Sequence, residues 1–198
     1  MIQAPNLTEL DWVVHGFGLR DSEYPAGIVT VKQIHSNIVL EAEAGGEGDA
    51  LITARLGVTV GIRTADCVPL LLADARNRAI ASIHAGWRGT VSNIAGETLA
   101  AMAAKWQTRP EDVRAAIGPS IGPCCYEVGT EVGVLFGDSP TEKAHIDLLG
   151  ENEKRLRAAG VQNIWKSGEC TFCAAQRFFS FRRERESAGR MISFIGII

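Results

Sequence analysis

The sequence is short of the residues on which many function classes depend. Only four histidines and two tyrosines occur in 198 residues, so any metal or acid–base site draws on a short roster. Long hydrophobic runs are missing too: stretches such as Val68 to Ala73 fall far below the ~20 apolar residues that cross a bilayer, and no membrane partner is expected. There is no excess of basic charge. Lys+Arg number 20 against 23 Asp+Glu, a net charge of −3, and with no basic stripe nucleic acid is not expected as a main partner, although a local arginine cluster can meet a small anion. Met1 to Asp11 has no basic segment leading into an apolar one, so no secretion signal is expected. Linkers rich in Ser or Pro, low-complexity tracts and internal repeats are absent, and the expectation is one domain over residues 1–198.

What is there describes an ordinary folded chain: 46% hydrophobic and 22% charged residues, with a mean hydropathy of +0.06. The five cysteines, at 67, 124, 125, 170 and 173, are an odd number in a chain long enough to bury a core without staples. They read as reduced thiols of a cytoplasmic protein.

Strands are expected at Trp12 to Phe17, Gly27 to Gln33, Asn37 to Ala42, Val58 to Thr64, Pro69 to Ala73 and Ala79 to His84, the last two as a hairpin, with a loop from Ala44 to Asp49. From Thr90 or Ser92 the period changes. Val91, Ile94, Ala95, Leu99, Met102 and Trp106 form one helical stripe that should end before Pro110. Beyond it a strand at Val113 to Gly118, a rigid loop from Gly118 to Pro123, a helix at Glu151 to Ala159 stopped by Gly160, and strands at Val161 to Lys166 and Arg190 to Ile198 are expected. Ser139-Pro140-Thr141 reads as an exposed loop. The fold class is α+β, mixed β-sheets covered by helices in an α/β/β/α-like layering.

Cys67 lies where a strand leaves a turn, and His84 ends the strand expected to pair beside it. An imidazole and a thiolate brought together permit two chemistries: His84 activates Cys67 as a nucleophile, or both bind a metal. His35 is a third strand-end candidate, and His/Cys/His is a borderline-soft set suited to zinc with one position left open. The bland reading is two satisfied histidines and a small buried thiol. After His84, Gly86 and Gly89 allow close backbone approach, and Arg88 sits near the start of the following helix, where an anion is favoured. That loop can equally be a tight turn with Trp87 as core.

The strings Gln33-Ile34-His35, Gly48-Asp49-Ala50, Thr64-Ala65-Asp66-Cys67-Val68-Pro69, His84-Ala85-Gly86-Trp87-Arg88-Gly89, Ile121 to Val128 and Phe178 to Arg183 resemble the YfiH-type family, in order from His15 to the C-terminus. That family was named for polyphenol oxidase (laccase) activity and later regarded as purine nucleoside phosphorylase and adenosine deaminase. The resemblance implies a zinc ion held by His35, Cys67 and His84. It also implies purine nucleoside and phosphate substrates: phosphorolysis of adenosine, inosine and methylthioadenosine to base and ribose 1-phosphate, and deamination of adenosine to inosine. One departure stands out. Family members carry a longer Gly- and Asn-rich loop and a helix with an Asn-Arg pair before the His35 strand, whereas about ten residues separate Arg20 from Val31 here. Any phosphate contact from that segment is missing or is supplied by Arg20, Arg63 or Arg88.

Deamination suits such a site, because zinc lowers the pKa of a bound water toward ~7 and the resulting hydroxide can attack C6 of adenine. Phosphorolysis follows less directly. Asp49 and Asp66 are candidates to support a histidine or move a proton, or to cap a turn. Copper is a second possible metal, but four histidines are too few for a multicopper laccase cluster. The residues are also compatible with a metal-free Cys67–His84 hydrolase or with a non-catalytic, metal-stabilised purine-binding domain, and the chain is expected to be a monomer or homodimer. Cys124 and Cys125 are neighbours that cannot easily bond to each other and read as packing residues beside the pocket. Cys170-Thr171-Phe172-Cys173 is a lone C-x-x-C compatible with a redox pair or half of a zinc site, but without a second C-x-x-C it reads as structural thiols. Phe178, Phe179 and Phe181, followed by arginines, read as a strand edge covering the core, or less simply as a surface on which a base stacks.

Overall fold

The computed structural model describes residues 1–139 and 141–198; Pro140, in the loop expected at 139–141, lies outside them. The strands are β1 (Val13–Phe17), β2 (Val39–Glu41), β3 (Ala50–Thr53), β4 (Thr59–Thr64), β5 (Val68–Asp74), β6 (Ala79–Ala85), β7 (Val113–Ile117), β8 (Glu127–Val128), β9 (Ala144–His145), β10 (Asn163–Lys166) and β11 (Met191–Ile197). The α-helices are α1 (Pro5–Thr8), α2 (Trp87–Val91), α3 (Ile94–Trp106), α4 (Thr130–Gly133), α5 (Leu148–Ala158) and α6 (Phe181–Glu184).

The continuous apolar run of β5 places that strand at the centre of a six-stranded mixed sheet, in the order β10-β7-β5-β6-β3-β2. A strand buried on both faces has no need of alternating polar residues. On one face Val68, Leu70 and Leu72 pack with Ile94, Leu99 and Met102 of α3 and Leu156 of α5. On the other, Leu71 and Ala73 meet Val60, Ile195 and Ile197 of a three-stranded antiparallel sheet, β1-β11-β4. Each fully buried leucine contributes about 1.5–3 kcal/mol through burial. The fold is thus the expected α+β arrangement of mixed sheets covered by helices.

The hairpin between β5 and β6 pairs Val68 with Ala85 and Pro69 with His84. Its turn is fixed by Asp74, whose Oδ1 accepts from the backbone N–H groups of Arg76 and Asn77 at 2.9 and 3.0 Å. The helical stripe is real but interrupted. Asn93, at φ 57°, separates α2 from α3 and caps α3 by accepting from Gly96 N–H. The helix therefore starts earlier than expected, as a short turn at Trp87 that carries the chain out of β6.

Three expectations fail. Residues 27–33 form no strand: only Val29 and Lys32 make isolated bridges, to Val60 and Glu47, between left-handed bends at Gly27 and His35. The Ala50–Thr53 strand, hidden behind the glycine-rich loop, adds to the expected set. The Phe178–Phe181 stretch is not a strand edge. Phe178 is fully buried, and Ser180 caps α6 by accepting from Arg183 N–H.

Candidate metal centre

Strand pairing brings the three candidate ligands together. Cys67 immediately precedes β5, His84 lies on β6, and His35 follows the irregular segment that crosses the sheet end. Their ligand atoms all lie within 4.8 Å of one another. The two imidazoles meet edge to face, with centroids 4.8 Å apart.

Asp49 holds this arrangement. It is fully buried just before β3, and its carboxylate accepts from His84 Nδ1 at 2.7 Å. The same carboxylate accepts from the backbone N–H groups of Ile34, His35 and Ser36 at 3.3, 3.0 and 2.6 Å, and from the Ser36 hydroxyl at 2.7 Å. One side chain thereby fixes the His35 loop, with His35 itself at φ 60°, and orients His84. With Nδ1 engaged, Nε2 is the nitrogen of His84 left for a ligand. Burial pushes the Asp49 carboxyl up, but the bonds from His84 and Ser36 outweigh it and hold it below the usual carboxylate range.

The charges are coupled. Burial pushes the Cys67 thiol up, yet the His84 charge and hydrogen bonds from His35 and His84 bring it down to about 6. Burial lowers His84, but the Cys67 thiolate and Asp49 raise it to about 9. Gly86 completes the packing: a Cβ there would sit 3.1 Å from His35 Cδ2 and 3.2 Å from Cys67 Sγ. Two imidazoles and a thiolate at this spacing fit an ion of borderline softness such as zinc, which His35, Cys67 and His84 would hold.

The three candidate ligands line a cavity of about 680 Å³, within the range of small-molecule sites, with His84 buried and His35 exposed. Ile121, Tyr126 and Phe181 give it an apolar wall, and Lys32, Arg63, Arg182, Arg185 and Arg190 a cationic rim. Asp66 also lines it, but its carboxylate is taken up by Thr171 Oγ1 (2.7 Å), Ser180 Oγ (3.1 Å) and Arg182 N–H (2.7 Å). Its role in the structure is to tie the loop before Cys67 to the turn carrying Thr171 and to the Ser180–Arg182 segment, which lines the cavity at Phe181 and Arg182. Burial and the Cys67 charge push Tyr126 up to about 12.

Of Arg20, Arg63 and Arg88, only Arg63 reaches the cavity. Arg20 donates to the carbonyls of Ala175 and Phe178 and pairs with Glu184. Arg88 is exposed, its guanidinium 4.1 Å from the Trp87 ring centroid, and neither residue is among the lining groups. Arg182 and Arg185, which follow the phenylalanine run in the sequence, also line the cavity, as does Arg190, which no sequence pattern singles out. His15 and His145 stay apart from the site. His15 Nε2 accepts from Ala4 N–H at 2.8 Å inside the core, where burial keeps its pKa low, and His145 is exposed on β9.

Fold and site together define a class: an α+β protein in which two histidines and one cysteine, a group able to hold a metal ion, line a basic small-molecule cavity. Residues 17–198 match the family described as multi-copper polyphenol oxidoreductase laccase, and the chain belongs to that family. It is 43% identical to a purine nucleoside phosphorylase of Deinococcus radiodurans over 177 residues, 84% of this chain and 69% of that protein. It is 42% identical to adenosine deaminase RL5 of an unknown prokaryotic organism, over 79% of this chain and 64% of that one. Among solved structures, YlmD from Geobacillus stearothermophilus superposes with a TM-score of 0.84 at 28% identity, covering 98% of this chain and 94% of that one. YfiH of Bacillus licheniformis gives 0.81 at 31% identity, over 87% and 74%.

Proposed function

We propose that the protein is a zinc-dependent purine nucleoside enzyme. It cleaves adenosine, inosine and methylthioadenosine with phosphate to free base and ribose 1-phosphate, and it deaminates adenosine to inosine. The observation that carries this reading is the convergence of His35, Cys67 and His84 on a cavity with an apolar wall and a cationic rim. Relatives named purine nucleoside phosphorylase and adenosine deaminase support it.

His35, Cys67 and His84 would hold the ion, which when bound supplies Lewis acidity in the cavity. The rest of the chemistry falls to the chain. Asp49 keeps His84 in one tautomer and one orientation. The apolar wall of Ile121, Tyr126 and Phe181 takes the flat faces of the purine. Tyr126, with its pKa near 12, stays protonated at neutral pH and can donate to the base or sugar. Arg63 and Arg185 have no ion-pair partner among the described residues, and they take the incoming phosphate. The short segment after Arg20 leaves that role to this rim.

The test is a protein purified without chelators, assayed for bound metal and incubated with adenosine, with and without phosphate. Inosine without phosphate, and adenine plus ribose 1-phosphate with it, are expected. Failure to form any of these products in either mixture rejects the proposal. The depressed thiol of Cys67 beside a protonated His84 favours one second reading, a metal-free cysteine hydrolase. Loss of one zinc ion per chain in Cys67→Ala, relative to wild type, would exclude it.

A further inference from the structure

The remaining four cysteines, outside the cavity, form a second cluster. Cys124 and Cys125 lie in the turn after Gly122, and Cys170 and Cys173 lie in a turn after β10. A bridge between Ser120 and Cys170 joins the two turns, with Ser120 N–H donating to Glu169 O and Thr171 N–H to Ser120 O. Two segments about 50 residues apart in sequence thus point two thiols each at a common centre.

The four Sγ atoms all lie within 4.8 Å of one another. Cys173 Sγ is 3.4 Å from Cys125 Sγ and 3.7 Å from Cys124 Sγ. Thiolates at about 2.3 Å from a zinc ion stand about 3.8 Å apart at the corners of a tetrahedron, so the cluster is already near that size, and all four are free thiols. The backbone supplies an outer contact as well, since Gly122 N–H donates to Cys170 Sγ at 3.2 Å, the kind of hydrogen bond that orients a thiolate ligand.

We propose that Cys124, Cys125, Cys170 and Cys173 bind a second, structural metal ion of the zinc class, distinct from the one assigned to His35, Cys67 and His84. Binding forms four metal–sulfur bonds and releases to solvent the protons the thiols still carry, with no change of oxidation state. The four sulfurs complete the coordination, so this ion has no open position for chemistry. Its effect is mechanical: it clamps the Cys124–Cys125 turn, whose next residue Tyr126 forms part of the cavity wall, to the turn that presents Thr171 to Asp66.

The experiment compares metal content in wild type, Cys67→Ala and a Cys170→Ser/Cys173→Ser double variant, all purified without chelators. About two zinc ions per chain are expected in wild type and about one in each variant. Cobalt loaded into Cys67→Ala should give the intense thiolate-to-metal charge-transfer absorption of an all-sulfur tetrahedral site. Should the double variant fail to fold, thiol reactivity of the wild type decides: four thiols besides Cys67 are expected to be protected until a chelator is added. About one zinc per chain that vanishes in Cys67→Ala, four thiols that react freely in the native protein, or a mass two daltons low from a disulfide would each overturn the assignment. None of these readouts depends on nucleoside turnover.

Discussion

The two sulfur-containing clusters differ in the composition and surroundings that lead us to propose a working site for one and a fastener for the other. Cys67 sits among two imidazoles and a buried carboxylate partner and lines a cavity. The other cluster has only thiols, on two surface turns. Mixed ligands with an open position leave room for substrate, and four matched ligands close the coordination sphere. Electrostatics diverge in the same way. His84 and His35 draw the Cys67 thiol down to about 6, whereas burial and the neighbouring sulfurs push Cys125 well above the usual thiol range while, against burial, backbone and thiol hydrogen bonds hold Cys170 below it. In the first cluster neighbouring charge favours the thiolate, and in the second, under the proposed assignment, a bound cation would offset the repulsion of thiolates that already lie together.

The comparison breaks most visibly at Cys67. Cys67→Ala should abolish nucleoside turnover by at least about 10³-fold in kcat/KM, some 4 kcal/mol at about 1.4 kcal/mol per tenfold, while one metal ion per chain persists in the all-cysteine site. Steady-state kinetics beside elemental analysis check both halves. Loss of both ions in this variant would mean that the two sites are one cooperative unit.

Alkylation of metal-free protein sharpens the contrast in protonation. Only the thiolate reacts, so the rate at Cys67 should rise as pH increases through about 6, well below the ordinary thiol value of 9.0. Cys124 and Cys125, whose pKa values are raised, should react only at much higher pH. Peptide mapping after a pH series of short alkylations reads both curves, and a midpoint near the ordinary thiol value at Cys67 would remove the electrostatic account of the site. Asp49→Asn should then weaken metal binding at His35, Cys67 and His84 by about 10–100-fold, measured by competition with a chelating dye. The substitution turns an acceptor of five hydrogen bonds into a poorer one, and the all-cysteine site should keep its metal.

The Cys170→Ser/Cys173→Ser double variant inverts the pattern, with stability as its main readout. An ion held at 100 times its Kd stabilises the fold by about 2.7 kcal/mol, which for a chain of this size corresponds to roughly 5–10 °C in Tm. Calorimetry with and without added zinc should show that difference in wild type and little of it in the variant.

The site is more legible in the sequence than the fastener, for a physical reason. Cys67 and His84 stand at neighbouring ends of two strands joined by a short turn, a hairpin legible in the sequence, whereas His35 follows residues that form no strand; Asp49 and Asp66 are equal candidates for support until the structure gives His84 to Asp49 and the loops at Thr171 and Arg182 to Asp66. The partnership of Cys124–Cys125 with Cys170–Cys173 rests on a single bridge between Ser120 and Cys170, which no local pattern announces, and adjacent cysteines do not show the C-x-x-C spacing that marks half a metal site. The same limit explains Gly27 to Gln33, whose residues suit a strand although the neighbouring sheet offers them only isolated bridges, and Phe181, which suits a core-covering edge until the Ser180 cap turns it into the cavity wall.

The smallest expected effect falls on the cavity rim, where it separates the two activities proposed for the one site. Arg63 is exposed and lines the cavity, so its charge acts through a well-solvated path: two unit charges 4 Å apart in water interact by only about 1 kcal/mol. Arg63→Ala should therefore raise the KM for phosphate about fivefold, and less as salt rises toward 1 M, where screening reaches within ~3 Å. Deamination has no phosphate to bind, so the KM for adenosine in that reaction should change much less. Measuring both constants on the same preparation at low and high salt checks the assignment, and an equal change in the two would place Arg63 against the nucleoside rather than the phosphate.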